Sequence, residues 1–200
     1  FTATPDNLQN EFLQLFGENA TKTVLMNVPK NYISAHSLYL KHRVSLAKNF
    51  VEDDDHEIHE ILDNIHEFKM HVLQIPFHAY HIIRTPKGHK HDIVIKHFKR
   101  AFHDQNALFI SEPYSNIDLK TILKRKPTRH TFIFIKDKLR CADTICHSFL
   151  GSVYDRFAKN KQKNTTLLQG LWGRCTGFHN NQVLRIWTNF NQTNNPNLFQ

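Results

Sequence analysis

"FHAYHIIRTPKGHKHDIVIKHFKRAF", residues 77 to 102, joins two different patterns across one short turn. The first ten residues are rich in aromatic and β-branched side chains and stop at Pro86, which predicts a strand. From His91 to Phe102 apolar residues return every three or four positions between lysines and arginines, which predicts a basic amphipathic helix. A strand followed by a helix that covers it is the repeating unit of an α/β fold.

The alternation continues outward. "ALFISEP" (107–113) and "HTFIFIK" (130–136) read as strands, and "QVLRIWTNF" (182–190) as a closing strand. Between them "NIDLKTILKRK" (116–126) reads as a helix with Asn116 as its cap, and "TTLLQGLWGR" (165–174) as another. This order predicts a mainly parallel sheet flanked by helices. Upstream, "TKTVLMNVP" (21–29) reads as a short strand. "EDDDHEIHEILDNIHEF" (52–68) reads as a helix whose acidic first turn suits the positive end of its dipole.

Charge is uneven along the chain. Residues 84–140 hold 14 Lys/Arg against 5 Asp/Glu, an excess of nine that accounts for the whole formal net charge of +8. Residues 52–68 hold eight acids and no Lys or Arg. A basic body of this kind favours a polyanionic partner. Lys96, Lys99, Arg100, Lys124, Arg125, Lys126 and Arg129 are the groups that could neutralise phosphates without reading sequence. The three cysteines (Cys141, Cys146, Cys175) match no zinc or disulfide spacing, so a reducing compartment of the cell is expected. No apolar run approaches the roughly 18 residues that span a bilayer, so no membrane partner is expected. "HEIHEILD" (56–63) misses the zincin pattern because Asp63 stands where the second histidine belongs, and His56 with His59 specifies no third ligand. No metal site is assigned.

In an α/β sheet, ligands gather beyond the carboxyl ends of strands. Arg84 and Thr85 follow one strand, "KDKLRCADTI" (136–145) follows another, and Gly173-Arg174 closes a helix, so these cations are expected at one edge. Three stretches then resemble a known family. Thr2-Ala3-Thr4, Arg140 with Asp143, and Gly173-Arg174 stand in the order and spacing of motifs in the C-terminal half of a superfamily 2 helicase, in its viral and mobile-element-like subgroup. Cys141 replaces that family's glycine, Gly170 its glutamine, and Gly177 its second arginine.

The resemblance implies a RecA-like lobe. Residues 1–20 would end a first lobe, 21–75 would form a connector with the acidic helix, and 76–200 would be the second lobe, the whole being a piece of a longer protein. It further implies that Arg174 is an arginine finger, with Gly173, Arg140 and Asp143 beside the nucleotide. Arg84, Thr85 and Lys138 would face the nucleic-acid backbone, and Thr2, Ala3 and Thr4 would couple the lobes. ATP and Mg2+ would be held mainly by the first lobe, since no Gly-x-x-x-x-Gly-Lys-Ser/Thr run occurs here. The partner would be DNA or RNA, DNA being favoured. The alternative expectation is a non-catalytic nucleic-acid-binding module derived from such a lobe. A nuclease would need its carboxylates beside a basic groove, whereas Asp53, Asp54 and Asp55 precede the acidic helix.

Overall fold

The computed structural model describes residues 13–17, 29–52, 57–115, 118–136, 144–159, 167–168 and 170–190. The chain divides into two compact units, Phe1–Tyr32 and Ile33–Gln200. Of the first unit, the described part includes one helical turn at 13–16, closed by the Gly17 amide donating to the Leu13 carbonyl (3.1 Å). The expected strand at 21–29 falls almost wholly outside the described residues.

Among its described residues the second unit holds six strands: β1 (Val44–Leu46), β2 (Tyr80–Arg84), β3 (Leu108–Ser111), β4 (Thr131–Ile135), β5 (Leu150–Tyr154) and β6 (Arg185–Thr188). They form one sheet in the order β1-β6-β5-β2-β4-β3, and every neighbouring pair is parallel. The helices that accompany them among the described residues are α1 (Ala35–Leu40), α2 (Ile58–Leu73), α3 (His89–Ala101), α4 (Leu119–Ile122) and α5 (Leu171–Arg174). This is an α/β fold with a wholly parallel sheet flanked by helices, consistent with a RecA-like lobe.

Two cores lie on opposite faces of the sheet. One is aromatic: Phe68 of α2 and Phe98 of α3 meet Phe132, Phe134, Tyr154 and Trp187 from the strands. The other is mainly aliphatic and holds Leu38 of α1, Leu119 of α4, and Leu171 and Trp172 of α5. Strand side chains alternate between faces, so Phe132 and Phe134 enter one core while Ile133 and Ile135 enter the other. Helices that carry the chain toward β3 cover the aromatic face, and those that carry it toward β1 cover the other. A single handedness of crossover imposes this division.

The segment expected as a connector supplies part of this unit. Val44–Leu46 is an edge strand beside β6, and α2 buries Ile61, Ile65, Phe68 and Val72 on the aromatic face. The expected cap Asn116 lies outside the described residues; α4 is capped by Asp118, whose carboxylate accepts from the Lys120 amide (3.0 Å) and the Thr121 hydroxyl (2.6 Å).

β5 is the strand the sequence pattern does not announce. Its LGSVY run is wholly buried, and Gly151 and Ser152 interrupt the apolar signal. A Cβ on Gly151 would lie 2.6 Å from Ile75 Cδ1 and 2.9 Å from the Ala79 Cβ, so the centre of the sheet requires a residue without a side chain there.

Candidate functional site

At the carboxyl edge, Arg84 closes β2 and Asp155 follows β5. Arg84 Nη1 donates to Asp155 Oδ1 at 2.9 Å, and both side chains are only about a seventh exposed (14% and 13%). Oδ1 also accepts from the Arg156 amide (2.9 Å). Arg84 also lines a small cleft together with Asn49, Phe50, Thr85, Pro86 and Tyr154. Removing a partner from such a desolvated pair would strand the other charge, so the pairing sets the two strand ends in place.

Thr85 is buried (1% exposed) and its hydroxyl donates to the Ile135 carbonyl (3.2 Å). The same oxygen lies 2.5 Å from His91 Nδ1, while His91 Nε2 lies 2.7 Å from Ser111 Oγ. With the Thr85 proton committed to Ile135, Nδ1 carries the ring proton and Nε2 accepts from Ser111. Burial, then Lys136, hold the His91 pKa below its usual value, with Asp92 and Glu112 opposing. This chain of bonds ties the first turn of α3 to the ends of β2, β4 and β3. Thr85 is therefore turned to the interior and Arg84 is engaged by a carboxylate, rather than both presenting open donors.

Gly173 and Arg174 lie at the other edge. The Arg174 carbonyl accepts from His147 Nε2 (2.7 Å), and His147 stands three residues before β5 begins. Asn181 fastens the same region, its amide nitrogen donating to the carbonyls of His147 (2.6 Å) and Leu150 (2.7 Å). Arg43 Nη1 donates to the Asn181 carbonyl (2.7 Å), Arg185 opens β6, and the His147 and His179 rings stack at 4.2 Å. The amino-terminal edge of β5, β6 and β1 thus collects Arg43, Arg174, Arg185 and two histidines.

The expectation of one shared edge is corrected here. A helix that links parallel strands runs back against them, so its last residue arrives where the next strand starts. Gly173 is required at this point: a Cβ there would lie 2.0 Å from the Leu168 carbonyl oxygen. Arg140, Asp143, Lys138, Thr2, Ala3 and Thr4 lie outside the described residues, as do Cys141 and His56. His59 is exposed beside Glu57. No cluster of three or more His, Cys, Asp or Glu side chains able to hold a metal occurs among the described residues. No helix among them is long and apolar enough to cross a membrane.

Sequence reasoning also missed a line of histidines at the amino ends of the central strands. His81 is wholly buried, with Nδ1 3.1 Å from Ser152 Oγ and Nε2 3.0 Å from His130 Nδ1. Burial, then His130 and His71, push its pKa well below the ordinary value. Burial and then Arg185 lower His71 to about 4, against a backbone bond to Gly151 that raises it. Both rings are neutral in the folded chain at neutral pH, whereas unfolded histidine protonates below about 6.5. The unfolded state therefore binds more protons as pH falls, and stability declines from about pH 6.5 down to about 4. His71 alone accounts for at most about 3 kcal/mol. Urea midpoints across this range are expected to fall with pH, and to fall less steeply in His71→Gln. A midpoint independent of pH between 6.5 and 4 would exclude this account.

The sheet, its two helical layers and the cationic amino-terminal edge define a parallel α/β protein. Over 104 residues the chain is 32% identical to an uncharacterized protein of Acanthamoeba polyphaga mimivirus. The match covers 50% of this chain and spans only 26% of that protein's length. No family model matches the chain, and neither does any solved structure.

Proposed function

We propose that this chain is the second lobe of an ATP-dependent nucleic-acid motor of the superfamily 2 type, and that Arg174 is its arginine finger. The observation that carries the reading is Gly173-Arg174 itself: a turn so tight that only glycine fits, ending at a strand edge where His147 bonds the Arg174 carbonyl and Arg43 bonds Asn181. Such an edge suits a bound polyphosphate, because guanidinium groups present planar donors to phosphate oxygens. Arg140 and Asp143 stand seven and four residues ahead of His147 in the sequence, which is the Arg174 carbonyl's partner. Together with Gly173 they would complete this side of the nucleotide site, while a first lobe would hold most of the ATP and its Mg2+. The magnesium-bound nucleotide supplies the phosphoryl group and a neutralising charge. Arg174 would stabilise the negative charge that spreads over the phosphate as it transfers to water.

On the nucleic-acid side, Arg84 stays a candidate for backbone contact, with an exchange from Asp155 to phosphate as its route. Thr85 contributes by holding α3 rather than by touching the strand. DNA is the favoured polymer, in a reducing compartment of the cell. The second reading, a binding module without hydrolysis, draws on the replaced glycine at Cys141 and the replaced arginine at Gly177. ATP turnover, measured on a polypeptide that joins this chain to the proposed first lobe, separates the two. Turnover stimulated by DNA or RNA is expected; binding without turnover would favour the module.

A further inference from the structure

The outer face of α3 carries cations that neither the cleft nor the core uses. Lys96, Lys99 and Arg100 are all exposed, and none forms an ion pair among the described residues. At 100° per residue these three and His89 share a sector of about 100°, and from His89 to Arg100 the stripe runs about 16 Å. The opposite side is committed to the interior through His91, Val94, His97 and Phe98.

The surrounding acids leave the excess in place. Asp92, the single acid of α3, falls within the same sector and its Oδ2 accepts from the Tyr114 hydroxyl at 3.2 Å, so three cations stand against one carboxylate there. Asp104 is paired with Lys69 at 2.8 Å, and Glu67 with Lys48. Asp63 lines the groove between α2 and α3 together with Lys69 and Arg100.

A patch of three unpaired cations on one face of a helix fits neighbouring phosphates of a backbone. Whether bases also take part depends on stacking platforms, which single-strand binders supply as exposed aromatic rings along a basic groove. Here Phe98 and Phe102 face the core; Tyr114 is exposed beside α3, but its hydroxyl is tied to Asp92 and its ring lies against Lys136 (5.5 Å), so it is a single held ring and not a row of platforms. Contact limited to phosphates is what a duplex offers to a surface that enters neither groove. We infer that the outer face of α3 is a docking surface for the phosphodiester backbone of a nucleic-acid duplex. The inference rests on the proposed nucleic-acid reading for its setting, but its test needs neither ATP nor a first lobe, so the two can fail separately.

The test compares the 200-residue chain with Lys96→Gln/Lys99→Gln/Arg100→Gln. Anisotropy of a short labelled duplex of arbitrary sequence, and of its isolated strand, is followed through a salt titration. Removing three phosphate contacts is expected to weaken duplex binding about tenfold or more and to flatten the log–log salt slope by about 2 to 3. Single-strand binding should change less. Lys30→Gln/Lys41→Gln/Lys159→Gln, which removes the same charge from exposed positions on other segments, should leave duplex affinity within about twofold. Equal loss in this control, an unchanged slope in the α3 variant, or a greater loss for the single strand would each overturn the inference. All six positions are exposed, so thermal midpoints matching the parent chain verify that both variants fold.

Discussion

Arg174→Ala is expected to lower nucleic-acid-stimulated ATP turnover by about 10³-fold in the two-lobe polypeptide, with little change in folding stability. The helix keeps its apolar anchors when the side chain is cut back. Leu171, Trp172 and Cys175 are wholly buried and anchor α5. The bond from His147 ends on the Arg174 backbone carbonyl, which alanine keeps. What the substitution removes is a planar cation where negative charge grows during phosphoryl transfer. Lysine should rescue poorly, because a point charge on a flexible stem does not reproduce the two-pronged donor geometry. The loss should fall on kcat more than on the KM for ATP, since the interaction strengthens in the transition state. Near-normal turnover in Arg174→Ala would remove the finger role while leaving the duplex surface on α3 untouched.

Phe98→Ala is expected to destabilise the second unit by about 3–5 kcal/mol. The ring is 0% exposed and stands at the centre of the aromatic core. Its centroid lies 5.2 Å from Phe50, 5.4 Å from Phe134, and 5.7 Å from both Phe68 and Phe132. Several of these pairs meet edge to face, where each is worth about 0.5–1.5 kcal/mol beyond area burial. The neighbours come from α2, β4 and the segment after β1, so no single element can move in to fill the void. Phe98→Leu keeps most of the volume and should cost much less. Urea unfolding with an unchanged m-value checks this; equal losses for alanine and leucine would mean that packing around the ring does not carry the stability.

Much of the fold was legible because its signals are local. β2, β4 and β6 announce themselves as short apolar runs with β-branched and aromatic residues, and α3 by its three-and-four spacing. β5 was silent because its identity depends on neighbours: Gly151 and Ser152 are small where Ile75, Ala79 and His81 crowd the sheet, and no propensity reports that crowding. β1 was silent because three residues with a serine between two apolar ones become a strand only by pairing with β6. The Gly173-Arg174 step was visible as a motif, and the need for glycine there has a steric reason in the Leu168 carbonyl.

From its residues alone, the chain determines that apolar strands alternate with covering helices, that its middle third is strongly basic, and that an arginine follows a glycine at a helix end. Each of these is a property of one segment and its period. Tertiary structure alone decides that Arg174 and Arg84 stand at opposite edges, that Thr85 turns inward onto His91, that Arg84 meets Asp155, and that His81 is sealed between Ser152 and His130. The physical reason is that strand order and direction determine which ends meet, and those are settled by how two hydrophobic faces are covered at once rather than by any local pattern.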